Sequence, residues 1–99
     1  MKIRAKNGEQ TVDITLPATD MDIQYCMKCI GIEDIVPVCC ISEVRDEPSY
    51  FGFLKGQTVN MDELNFLARR LDGMTEYEKR VVGVYSSETG IREMKQLIN

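Results

Sequence analysis

The chain has no histidine among its 99 residues, which removes the commonest general base and the commonest metal ligand together. Ser42, Ser49, Ser86 and Ser87 therefore have no imidazole to activate them as nucleophiles. The glycines are scattered singly, so no glycine-rich loop is available to cradle a phosphate. No apolar run approaches the ~20 residues that span a bilayer. Nor does a basic stretch followed by an apolar run open the chain, as a secretory signal would. Positive charge is in the minority as well, with 12 basic residues against 16 acidic, a net charge of −4 and interleaved signs. That balance excludes direct nucleic-acid binding, which needs a basic face to displace counterions. The absences lead to a cytoplasmic, non-enzymatic protein with no cofactor, no metal and no membrane partner.

A hydrophobic share of 43% supports a packed core. A single domain of this length buries roughly two-thirds of its unfolded surface. Four cysteines are present, Cys26, Cys29, Cys39 and Cys40, and without a sign of export they read as free thiols. Four thiolates can hold zinc. Here, however, Cys26 and Cys29 fall within a helical pattern, and neighbouring residues on a strand, such as Cys39 and Cys40, point to opposite faces. A pair in mid-helix also lacks the helix N-terminus that lowers a thiol pKa in redox motifs. The cysteines read as packing residues.

Residues 2–6 and 11–16 alternate apolar with polar side chains: Ile3 and Ala5, then Val12, Ile14 and Leu16, face one way. Asn7-Gly8 between them is a strong hairpin signal because both residues tolerate positive φ. Pro17 ends the second strand, and Thr19 or Asp20 caps a helix reaching about residue 30, with Ile23, Cys26, Met27 and Ile30 buried and Gly31 as its exit. Residues 36–44 form a third, central strand, with Pro37 near its start. Residues 45–59 are less regular. A polar turn precedes Tyr50, Phe51, Phe53 and Leu54, which form a short edge strand or an apolar lid, in the core or in contact with a partner.

Residues 60–72 carry a complete helix with its start and stop signals. Asn60 caps the first amides, with Glu63 spaced to reach back. Leu64, Leu67, Ala68 and Leu71 make one apolar stripe, and Gly73 supplies a left-handed exit. Thr75 and Glu78 repeat the capping spacing before a helix over 76–85, in which Gly83 costs about 1 kcal/mol relative to alanine. A last helix is expected over 91–98. The sum is an α+β domain: a small antiparallel sheet of three to four strands with about four helices packed on one face.

The pairs Glu33-Asp34, Asp46-Glu47 and Asp62-Glu63 form no catalytic constellation, and Asp62-Glu63 suits a helix N-terminus. Arg69-Arg70 and Lys79-Arg80 read as solvated faces.

One stretch resembles a known family. Asn60, Asp62, Glu63, Leu64, Asn65, Phe66, Leu67, Ala68, Arg70 and Leu71, followed by Glu76, Tyr77 and Glu78, look like a motif of ArdA-like antirestriction proteins of gut Firmicutes and their mobile elements. Residues 15–20 resemble that family's strand-to-helix junction. Residues 97–99 are similar to the point where such domains run into a following segment. On that resemblance residues 1–99 are one N-terminal domain, the first of a longer protein. It implies inhibition of type I restriction–modification enzymes by imitation of DNA, with carboxylates standing where phosphates would. Asp62, Glu63, Asp72, Glu76 and Glu78 are the first candidates for that surface, with Glu33, Asp34, Asp46 and Glu47 as a second group. The alternative is a protein-interaction module of a plasmid or conjugative element, without the mimicry.

Overall fold

A computed structural model describes residues 1–45 and 50–90. Four strands, β1 (Lys2–Asn7), β2 (Gln10–Thr15), β3 (Val38–Val44) and β4 (Thr58–Asn60), form one antiparallel sheet in the order β2-β1-β3-β4. Three α-helices, α1 (Asp20–Cys29), α2 (Met61–Leu71) and α3 (Glu76–Thr89), complete the described α+β fold. The helix expected over 91–98 lies outside the described residues, as do Asp46 and Glu47.

The hairpin forms where the sequence places it, but around a different pair. Asn7 and Gln10 are register partners, so Gly8 and Glu9 make the turn, and only Gly8 has a positive φ, 64°. A glycine at the first central position is the requirement of a type II′ turn. The Asn7 side chain is thereby left to act elsewhere. Its amide donates to the Ile30 carbonyl at 2.8 Å, tying the hairpin to the end of α1.

Period-two alternation sorts the sheet into two faces. Ile3, Ala5, Ile14, Cys39, Ile41 and Val59 are buried under the helices. On the other face Arg4 bridges three strands, with Nε 2.8 Å from Asp13 and Nη1 3.1 Å from Glu43, while Arg45 also reaches Asp13 at 2.9 Å. The hydrogen bond from Arg4, followed by the charges of Arg4 and Arg45, holds the Asp13 carboxyl below its usual range. A register shift between Arg4 and Ala5 lets β1 keep pairing with β3, and there the Ser42 hydroxyl donates to the Arg4 carbonyl at 3.2 Å. Cys39 and Cys40 fall on opposite sides, the first buried and the second half-buried.

Strand β3 is central, as its apolar pattern predicts, but begins at Val38. Pro37 stands just before it, and its carbonyl accepts from the Met61 amide at 2.9 Å. The irregular segment resolves into core and edge. Phe51 and Leu54 are buried, Tyr50 and Phe53 pack against them, and residues Gly52–Leu54 form a 3₁₀ turn. Ile41 then exchanges backbone hydrogen bonds with the chain at Gly56 and Gln57, leading into β4, the edge strand. That strand escapes sequence reading because three residues are too few to show a period.

Helix α2 carries the Asn60 cap and the apolar stripe that its sequence signals. Asn60 Oδ1 accepts from the amides of Asp62 and Glu63, and Met61, Leu64, Leu67, Ala68 and Leu71 are all buried. Each large apolar side chain so buried contributes about 1.5–3 kcal/mol. Its exit differs from expectation: Gly73 has no positive φ. Asp72 stays right-handed, its amide donating to the Ala68 carbonyl at 3.3 Å, and the Met74 amide closes on Leu71. At Gly31 the expected left-handed exit is present, with φ 81°. The reciprocal Thr75–Glu78 capping box opens α3, which continues to Thr89 rather than stopping near residue 85.

Candidate functional site

The junction between β2 and α1 is held from a distance by α2. Asn65, 3% exposed, accepts from the Ala18 amide at 2.9 Å and donates to the Ala18 carbonyl at 3.0 Å. Arg69, one turn further, donates to the same carbonyl at 3.1 Å and lies 3.9 Å from the Asp20 carboxylate. The start of α1 thus meets the later half of α2. At the opposite end, the segment after α1 meets the start of α2 through Pro37 and Met61. A groove of about 920 Å³ is lined by residues of α1, of α2 and of the connection after α1.

The floor and walls of this groove have different chemistry. Ile23, Met27 and Ile32 are core residues at its base. The connection from α1 to β3 is pinned at Ile32, whose amide donates to the Met27 carbonyl, and at buried Pro37. Between those pins Glu33, Asp34 and Ile35 are lifted into solvent, with Ile35 98% exposed. Met21 and Tyr25, one turn apart on α1, are 79% and 70% exposed on the facing wall. Asp62 lines the groove from the first turn of α2, and Lys28 is a cation on the α1 side.

Three of the acidic residues singled out in the sequence, Glu33, Asp34 and Asp62, line this groove, as does Asp20. The others do not. Asp72 lies about 15 Å from Asp62 along the helix at 1.5 Å per residue. Glu76 is engaged by the Tyr50 hydroxyl, which donates at 3.3 Å, and by Lys79 at 3.5 Å. Glu78 is occupied by its capping box, and half-buried Glu63 does not line the groove. Sequence reasoning overlooked Met21, Tyr25 and Ile35. Met21 and Tyr25 recur at i and i+4, and that spacing was the available signal of a second apolar face on α1.

Among the described residues no three histidine, cysteine, aspartate or glutamate side chains gather as a metal site requires. No described helix is long and apolar enough to cross a membrane. The thiols differ sharply in environment. Burial, reinforced by the neighbouring Cys40 thiol, pushes Cys39 up to about 11, whereas Cys29 is exposed. From an ordinary value of 9.0, that rise cuts the thiolate fraction near pH 8 about a hundredfold. Iodoacetamide at pH 8 is therefore expected to modify Cys29 first and leave Cys39 intact in the native state, as peptide mass mapping would show. The neutral Cys39 thiol stabilises the fold below its unfolded pKa near 9.0, and that contribution is lost as pH rises toward 11.

No family model, curated protein or solved structure matches this chain.

Proposed function

We propose that this domain is a non-enzymatic antirestriction-type protein that acts by binding a restriction–modification enzyme. The observation that carries the proposal is that Asp20, Glu33, Asp34 and Asp62 all line one open groove. The motif in residues 60–78 supplies the biological setting. Carboxylates held on a folded surface attract the cationic channel that an enzyme uses for DNA, and they do so without any chemistry on the bound partner. The domain is expected to displace duplex DNA from a type I methyltransferase at micromolar concentration, less effectively as salt is added. An anisotropy assay with labelled duplex reads this directly. Unchanged anisotropy across that range rejects the proposal.

A second reading keeps protein binding but drops the imitation of DNA. Lys28 and Arg69 interrupt the acidic lining, Met21, Tyr25 and Ile35 present apolar surface, and the open face of the sheet carries mixed charge. Neutralising Glu33, Asp34 and Asp62 together separates the two readings. Under mimicry the triple amide variant competes with DNA at least tenfold more weakly. Under the module reading DNA competition is absent in the parent protein too.

A further inference from the structure

The groove combines an apolar strip with four carboxylates and the two cations Lys28 and Arg69. Glu33, Asp34 and Asp62 make no ion pair among the described residues, whereas Asp20 is already matched to Arg69. Met21, Tyr25 and Ile35 stand beside them with most of their surface in water. Every lining residue belongs to α1, α2 or the connection after α1, and none lies in a strand. An extended peptide would find no sheet edge here to satisfy its backbone. An occupant that satisfies its own amides and carbonyls is a helix.

We propose that the α1–α2 groove receives a basic amphipathic helix of a partner protein. Its apolar stripe packs on Met21, Tyr25 and Ile35, and its lysines or arginines face Glu33, Asp34 and Asp62. The inference rests on the protein-binding reading above and adds to it the class of segment that docks. Opposite charge sets the orientation and speeds encounter, while the apolar contact holds the complex.

The test uses two synthetic helical peptides with the same leucine stripe, one with lysine and one with glutamate on the polar face. Each is titrated into the isotopically labelled protein and followed by amide chemical shifts. The lysine peptide is expected to shift residues 20–28, 32–36 and 62–69, and the glutamate peptide to leave them in place. Ile35→Ser, and Glu33→Lys combined with Asp34→Lys, alter exposed side chains and should each weaken binding at least tenfold with the folded spectrum retained. Shifts centred on the exposed Tyr77, Val81 and Val84 of α3, equal binding of both peptides, or indifference to these variants would overturn the inference. Should the lysine peptide fail while the domain still displaces DNA from the methyltransferase, the docking inference falls and the antirestriction proposal stands.

Discussion

Gly83→Ala is expected to destabilise the domain, although helix propensity alone predicts the reverse. In an exposed helix interior the change would gain about 1 kcal/mol. Gly83, however, is buried against the chain crossing α3: a Cβ placed there would lie 2.6 Å from the Tyr50 carbonyl oxygen and 2.8 Å from the Tyr50 Cβ. These atoms cannot swing aside as a flexible side-chain tip would. Tyr50 is further held by its hydroxyl on Glu76 and by Arg80, whose guanidinium carbon sits 5.7 Å from the ring centroid. Glu76, Arg80 and Gly83 thus form one face of α3 on which Tyr50 lies. Overpacking of this kind costs about 1–3 kcal/mol and, against backbone, falls toward the upper end. A net loss of about 2 kcal/mol is expected, which lowers the melting temperature by roughly 8–15 °C in a domain of this size. A thermal melt no lower than that of the parent would show that the crossing is looser than described.

Replacing Asn65 should have an effect at least as large. Asn65→Leu keeps approximate volume but removes both hydrogen bonds to Ala18. The Ala18 carbonyl retains Arg69, whereas its amide loses the Asn65 oxygen. A donor left unsatisfied at this half-buried contact costs about 1–3 kcal/mol, and with the lost bonds the expected loss is about 2–4 kcal/mol in urea denaturation. Asn65→Asp makes the sharper experiment because it introduces a proton that can be added or removed. Protonated, the new carboxyl accepts from the amide and donates to the carbonyl as the parent side chain does. Ionised, it sets a buried negative charge against the carbonyl oxygen. Burial and the carbonyl raise its pKa on folding, the opposing Arg69 charge being half in solvent and screened. The variant should therefore lie close to the parent near pH 4 and lose stability as pH rises through that raised value. A constant stability difference between the two proteins from pH 4 to 7 would contradict the bidentate geometry.

The elements with strong local signals are legible in the sequence. The alternation of Ile3, Ala5, Ile14 and Leu16, the Asn60 cap, the Leu64–Leu71 stripe and the Thr75–Glu78 box each specify structure within a few residues. What escapes is set by partners far along the chain. Strand β4 exists because Ile41 and Cys39 need neighbours. Asn65 sits on the buried face of α2 because Ala18, 47 residues earlier, needs a polar partner. Gly83 reads as a weak point in a helix until Tyr50 is placed against it. The groove was half visible. Its carboxylates stand out in the sequence, but only the fold decides that Asp62 lines the same groove as Glu33 and Asp34 while Asp72 does not.

Strand β1 opens the chain and yet lies inside the sheet, flanked by β2 on one side and β3 on the other. Loss of the front end is therefore an amputation and not a trim. Without residues 2–7 the β2 ribbon has no neighbour, and the Arg4 span from Asp13 to Glu43 disappears with it. Removal of residues 2–7 would leave a chain unable to assemble the four-stranded sheet.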